Sequence, residues 1–339
     1  MVRVGIIGCG NIGGVHAMVL NEIKEARICA LADIRPERAE EYSARFTEGR
    51  ARAYGSMEEM LEKEVLDVVH ICTPHHCHVP MASEALIRGL HVFMEKPPAI
   101  SREQFKELLR VSGQSRGRLG ICFQNRYNET TKKVNELLAQ GVLGRLRGGR
   151  AFVTWHRNAS YYIESGWRGK LETEGGGVLI NQSIHALDLL LSWLGRPVKM
   201  EASMSNHHLK GIAEVEDTLE AYMTFTEDEE PVSASFYATT AYPVDAPVFF
   251  ELVGEKGFIR LEGNSVWYQT KELEEPVVWQ AEKSSLLGKT YWGNGHEACI
   301  RDFYDCLDTG RDYFNDIASV QNTFYTMMDI YDSARNEGR

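Results

Sequence analysis

Apolar runs alternate with amphipathic stretches through the first third of the chain. VRVGIIG, RICALAD, DVVHICT, HVFMEKP and RLGICF are separated by segments of helical periodicity at 11–24, 36–46, 77–89 and 101–116. Continuous Val/Ile/Leu runs joined by helices predict a parallel sheet covered on both faces. Residues 1–122 are therefore expected to form a doubly wound α/β domain. After about residue 123 the rhythm changes. GGRAFVTWHR, VKMEASMSN, DTLEAYMTF, PVSASFYATT and SVWYQT alternate with period two, and EKGFIRLEGNSV reads as strand, glycine-centred turn, strand. Residues 123–339 are expected to form an α+β domain with a large open, mostly antiparallel sheet and helices at 128–140, 178–194, 295–309 and 316–336.

Length supports this division, since 339 residues exceed the roughly 250 to 300 at which single cores stop growing. A net charge of -11 disfavours a nucleic-acid partner, because such binders carry a basic face. No segment reaches the roughly 18 apolar residues of a membrane helix, so no membrane partner is expected. The chain enters RVGIIG without a leader pattern, and its seven cysteines form no CxxC pair. These features predict a cytoplasmic protein with reduced thiols.

GIIGCGNIGG sets Gly8, Gly10 and Gly13 in GxGxxG register between a strand and a helix. Gly8 permits the tight turn, Gly10 lets a pyrophosphate approach the backbone, and Gly13 lets helix and strand pack closely. Asn11 and Ile12 open the helix whose N-terminus favours the anion. Asp33, twenty residues after Gly13, is placed to accept from ribose hydroxyls. A carboxylate there repels a 2′-phosphate, so NAD is expected over NADP; Arg35 and Arg38, beside Ile34, weaken that preference.

Two further stretches carry polar groups. ICTPHHCH holds three histidines and Cys77, but not at zinc-site spacing; no metal is expected, and His78 reads as a residue at the start of a helix. In GGGVLINQSIHALD the glycines lack GxGxxG register, so they feed a helix rather than a second nucleotide site. Asn181, His185 and Asp188 recur at i, i+4 and i+7 on one face of that helix. They are either a satisfied core histidine with two partners or a face turned to a ligand.

With GCGNIGGVHA, ICTPHHCH, FMEKPPA, GGG…H…D and GHEACIRDF in hand, the chain resembles the Gfo/Idh/MocA oxidoreductase family over essentially its whole length. The resemblance implies a Rossmann domain and an open-faced α/β domain, with sugars, cyclitols or related compounds bound between them. It further implies that Cys72, Thr73, Pro74, His75 and His78, together with Glu95, Lys96 and Pro97, border the nicotinamide end of NAD. Lys96 and His185 are the implied acid–base groups. Asn181 stands where the family has Asp; an amide cannot take a proton, but it can orient an imidazole or bind a hydroxyl. Asp188 is expected to orient His185 from the far side. Arg126, Tyr127, Trp155, Tyr161, Trp167, Arg168 and His296, with Asn181 and His185, are candidate substrate contacts, since aromatic faces and guanidinium forks suit sugar rings and acidic substituents. A homodimer or homotetramer is the family's habit.

The reaction expected first is oxidation of a secondary hydroxyl of a sugar, cyclitol or sugar derivative, with hydride passing to nicotinamide C4. A second reading uses transient oxidation to cleave a glycoside without net redox. A third is an NAD-binding sensor without chemistry.

Overall fold

A computed structural model describes residues 1–227, 230–282 and 295–337. The chain divides into two compact units. The first comprises Met1–Gln124 with His296–Val320, and the second Asn125–Gly295 with Gln321–Arg339.

In the first unit, strands β1 (Val2–Ile7), β2 (Ala26–Ala32), β3 (Arg52–Tyr54), β4 (Val68–Ile71), β5 (His91–Glu95) and β6 (Leu119–Cys122) form one sheet in the order β3-β2-β1-β4-β5-β6. Every pair is parallel. The apolar runs are continuous because helices cover both faces; Val4, Ile6, Val68, Val69, Val92 and Phe93 have no solvent exposure. Strand order reverses between β1 and β4, which opens a crevice at their carboxyl ends. The helices expected at 11–24, 36–46, 77–89 and 101–116 run Asn11–Asn21, Pro36–Thr47, His78–Ile87 and Arg102–Gln114. Strand β3 and the helix Met57–Lys63, capped by the Ser56 hydroxyl accepting from the Glu59 N–H, are too short to announce themselves by periodicity.

The expected boundary at 123 requires correction at the other end of the chain. Residues 296–320 belong with the first unit, not the second. The reason is aromatic packing and edge pairing. Phe303 and Tyr313 lie 5.2 and 6.3 Å from the Phe93 ring, and Phe303 is fully buried. Beside β6, Ile121 N–H donates to the Asn315 carbonyl at 3.0 Å and Asn315 Nδ2 returns a bond to the Phe123 carbonyl at 3.1 Å. Arg118 donates to the carbonyls of Cys306 and Gly310 at 3.0 and 2.7 Å.

In the second unit, strands β7 (Leu146–Thr154), β8 (Lys199–Ser205), β9 (Thr218–Glu227), β10 (Glu230–Thr239), β11 (Phe249–Gly254), β12 (Gly257–Glu262), β13 (Ser265–Thr270) and β14 (Val277–Gln280) run in the order β14-β13-β12-β11-β7-β10-β9-β8. Among the described residues of this sheet, only β7 and β10 pair in parallel. Period-two alternation buries Leu219, Ala221, Met223 and Phe225 on one face of β9. Helix Gln321–Glu337 packs on β8 and helix Ile184–Leu194 on β7. The helix expected at 178–194 is in two parts: Val178–Ser183 is a π-helical turn, and the α-helix begins at Ile184. The helix expected at 316–336 begins at Gln321. No helix among the described residues is long and apolar enough to cross a membrane.

Phe303→Ala should destabilise the first unit by about 3–5 kcal/mol through the cavity it leaves. Denaturant unfolding followed by a probe in that unit measures the loss.

Candidate active site

The chain leaves β1 at Ile7 and turns at Gly8, whose φ of +94° is in the left-handed region. A Cβ on Gly13 would stand 2.2 Å from the Gly8 carbonyl oxygen, so only glycine lets the helix approach the strand here. Gly10 differs, since nothing lies within 4 Å of the Cβ it lacks. Its backbone borders open space at the start of helix Asn11–Asn21, which has no side-chain cap and no acidic residue in its first turn. Uncapped N–H groups and the helix dipole there suit a phosphate. Asn11 is exposed and Ile12 half-buried in that first turn. Asp33, just beyond β2, accepts from the N–H of Cys9 at 2.8 Å and of Arg35 at 2.9 Å, which fixes its carboxylate beside the glycine turn. Ile34 and Arg35 are exposed and Arg38 half-buried.

Cys72, Thr73 and Pro74 follow β4, and His75 is buried in the 3-10 turn that precedes helix His78–Ile87. His78 does not cap that helix. Its Nδ1 lies 2.8 Å from the Pro97 carbonyl and its Nε2 3.0 Å from the Thr73 carbonyl, so one fully buried ring sits between the loop after β4 and the loop after β5 and, when neutral, donates to one of the two. Burial holds its pKa below the usual imidazole range.

Glu95 ends β5 with little solvent contact, and Lys96 after it is half-buried. The Glu95 carboxylate accepts from His16 Nε2 at 3.0 Å. Nδ1 of His16 faces Nδ1 of His70 at 2.9 Å, and His70 Nε2 meets the Tyr304 hydroxyl at 2.9 Å. One proton must lie between the two facing nitrogens, and the hydroxyl, which can donate or accept, completes a consistent chain whichever ring holds it. Burial alone would raise the Glu95 pKa, but the His16 hydrogen bond and the fields of His16, His296 and Lys96 bring it below the usual carboxylate range. His296 is buried within the same unit, and its pKa is lowered to about 4 by desolvation, with Glu95 opposing and His16 and Lys96 assisting. Ligand atoms of His16, Glu95 and Cys122 lie within 4.8 Å of one another. The first two are hydrogen-bonded together, and burial raises the Cys122 thiol well above its usual pKa, disfavouring a thiolate ligand.

In the second unit the glycine run is a packing device. A Cβ on Gly177 would lie 1.9 Å from the Glu216 carbonyl oxygen. The Glu216 carboxylate accepts from the N–H of Gly177 and Leu179 at 2.8 and 3.1 Å and from the Tyr331 hydroxyl at 2.8 Å, pinning the start of the π turn. Asn181 and His185, on either side of the π-to-α junction, are both half-buried. π turns interrupt helices most often at functional sites. Asp188 departs from its expected role. Its carboxylate is clasped by Arg126 through Nε at 2.7 Å and Nη2 at 2.6 Å, and receives the Thr323 hydroxyl at 2.6 Å. Arg126, a candidate substrate contact, thus holds a buried ion pair; Tyr127 beside it is half-buried. Trp155 is buried and donates to the Ala246 carbonyl at 3.1 Å. The Arg168 guanidinium stacks 4.3 Å from the Tyr161 ring and 4.8 Å from the Trp167 ring, and Arg157 lies 5.4 Å from Tyr161.

Sequence reasoning passed over Glu174. This residue, immediately before the glycines, is fully buried, with Oε2 accepting from the Gly169 N–H at 2.5 Å and Oε1 from Asn181 Nδ2 at 2.5 Å. Desolvation pushes its pKa up to about 7 against those two bonds, with the neighbouring Glu216 adding and Arg168 subtracting. Its position just ahead of GGG was the one available signal.

Comparison with known proteins accords with this geometry. Residues 2–121 match the model of an oxidoreductase family with an NAD-binding Rossmann fold, and residues 131–260 match the GFO/IDH/MocA C-terminal domain. A D-glucoside 3-dehydrogenase of Escherichia coli is 32% identical over 199 residues, 58% of this chain and 55% of its own length. A myo-inositol 2-dehydrogenase of Thermotoga maritima is 25% identical over 58% of this chain and 56% of its own. The chain thus spans little more than half the length of these two relatives. The crystal structure of the WlbA dehydrogenase from Bordetella pertussis in complex with NADH and UDP-GlcNAcA superposes with a TM-score of 0.84 at 27% identity, covering 99% of this chain and 97% of that one.

Two outcomes follow from the site. Asp33→Ala should weaken NAD binding about tenfold or more, as expected for a lost bond to a charged acceptor, and affect NADP less; isothermal titration with both cofactors measures this. For Glu174, a folded pKa of about 7 against an ordinary 4.5 means the folded state binds the extra proton. Stability therefore declines as pH rises from about 4.5 to about 7 and is flat above, by roughly 3 kcal/mol at most. Glu174→Gln should melt above the wild type at pH values above 7, and the gap should close towards pH 5 in thermal scans.

Proposed function

The chain belongs to the Gfo/Idh/MocA oxidoreductase family, and from that premise we propose that it is an NAD-dependent dehydrogenase of a sugar, cyclitol or sugar derivative. The observation that carries the reading is the pairing of two features in the first unit. One is an open glycine turn at an uncapped helix start beside a fixed Asp33; the other is Lys96 directly after the buried, compensated Glu95. Bound there, NAD supplies the hydride acceptor. Gly10 and the first turn of helix Asn11–Asn21 hold its pyrophosphate, and Asp33 accepts from the adenosine ribose. Thr73, Pro74, His78 and Pro97 shape the nicotinamide end, with the His78 ring between their two loops.

Lys96, His185 or both take the proton of the reacting hydroxyl. Asn181 orients that hydroxyl or the imidazole rather than accepting the proton, since an amide has no basic lone pair at working pH. Arg168 and Tyr161 supply a guanidinium and an aromatic face. That pair, with Arg157 on Tyr161, favours a sugar bearing an acidic substituent, such as a uronate or a nucleotide sugar. The protein works as a homodimer or homotetramer in the cytoplasm.

Lys96→Ala should leave NAD affinity nearly unchanged and lower turnover by about 10² to 10⁴, the usual contribution of a positioned acid–base group. The assay follows nicotinamide absorbance over sugars, cyclitols, uronates and nucleotide sugars. Undiminished turnover of the best substrate by this variant would remove Lys96 from the chemistry. Product formation with no net reduced cofactor would instead favour the eliminating reaction.

A further inference from the structure

We propose that Glu174 is a positioning residue for the substrate face of the Asn181–His185 helix: its ionised carboxylate locks the Asn181 amide with nitrogen inward and oxygen outward, and its protonation releases that lock. The inference rests on the reading above that Asn181 and His185 address the substrate.

The geometry defines the lock. Asn181 Nδ2 lies 2.5 Å from Glu174 Oε1 and 3.5 Å from the Tyr161 hydroxyl, which also receives Gln182 Nε2 at 3.3 Å. Both amide hydrogens therefore point to the Glu174–Tyr161 side, and a planar amide turns its oxygen to the opposite side. A carboxylate can only accept, so ionised Glu174 tolerates no other orientation of Asn181. A protonated carboxyl has one O–H to give and can equally well hold the amide by its oxygen, which then presents the NH₂ group outward. The group Asn181 offers a substrate hydroxyl thereby changes from acceptor to donor.

The second carboxylate oxygen makes the lock testable. Glu174 Oε2 accepts the Gly169 N–H at 2.5 Å, a donor that demands an oxygen. In Glu174→Gln the side-chain oxygen must stay on Gly169, so its NH₂ falls against Asn181 and forces the Asn181 oxygen inward at every pH. Adding Asn181→Asp replaces the inverted amide with a carboxylate, which accepts from the glutamine and is an acceptor on the outward side as well. The charged and titratable groups facing Glu174 are Arg168 on its own segment, Glu216 from the strand side, and Tyr162 and Tyr331, whose hydroxyls burial keeps protonated, with the Glu174 charge adding to it. Desolvation leads this set and brings Glu174 to about 7, within a range a pH profile can cover.

The experiment uses the full-length protein with NAD bound and ¹⁵N-asparagine labelling, with the Asn181 side-chain resonance assigned by its loss in Asn181→Asp. In the wild type this amide signal should titrate near pH 7, and in Glu174→Gln it should be displaced and independent of pH. An Asn181 signal that is flat in the wild type, or that titrates unchanged in Glu174→Gln, overturns the proposal whether or not a substrate has been found. Kinetics supply the second arm. KM should rise in the wild type as pH falls through 7, whereas Glu174→Gln should carry a pH-independent loss of about 10- to 100-fold in kcat/KM, mostly in KM. Glu174→Gln with Asn181→Asp should recover most of that loss. If the single variant keeps wild-type KM, or the double variant is no better than the single, the orientation of Asn181 does not set substrate affinity. Should Glu174→Gln fail to fold, the wild-type titration decides alone. Titration of the amide together with undiminished turnover in Lys96→Ala would keep this inference and discard the dehydrogenase assignment of Lys96.

Discussion

A carboxylate withdrawn from water must find its compensation inside the protein, and in the first unit that requirement organises everything around Glu95. The residue closes β5 at the edge of the crevice opened by the reversal of strand order, where solvent would ordinarily satisfy it. Instead His16, from the helix that begins at the glycine turn, supplies the hydrogen bond, and His70 and Tyr304 extend the chain through β4 into the returning C-terminal segment. Four elements distant in sequence are thereby fixed to one charge. Lys96 follows that charge by one residue, so its backbone inherits the rigidity of that network.

The second unit solves the same problem with a different donor set. Glu216 is satisfied by two backbone N–H groups and a tyrosine hydroxyl, and by being satisfied it anchors the glycine loop. Glu174 accepts from the Gly169 N–H and the Asn181 amide, and desolvation still pushes its pKa up to about 7. Desolvation raises the pKa of both acids. Each accepts from N–H groups, and Glu216 accepts the Tyr331 hydroxyl as well.

What could be read in advance was whatever leaves a periodic trace. The parallel sheet was legible because strands buried on both faces are unbroken Val/Ile/Leu runs, and the hairpin at EKGFIRLEGNSV because its glycine and alternation coincide. Gly8 and Gly13 were legible because backbone approach leaves few alternatives to glycine. Partner choice leaves no such trace. That Asp188 pairs with Arg126 rather than His185, or that Glu174 lies against Asn181, depends on segments brought together only by the fold. The π turn was likewise hidden, since the residues 178–183 have an unexceptional helical pattern and the interruption comes from the anchoring of Gly177 and Leu179 on Glu216.

The return of residues 296–320 to the first unit has a consequence for biosynthesis. That unit is discontinuous, with the whole β7–β14 segment emerging from the ribosome between its two parts. Until Asn315 and Phe303 arrive, the outer edge of β6 lacks its backbone partner and Phe93 lacks much of its aromatic shell. An unprotected edge strand is a template for pairing with other chains. The nascent dinucleotide-binding unit must therefore wait, incomplete and association-prone, for nearly the entire polypeptide, and a chain cut short before residue 296 would lack part of its first unit rather than only its last.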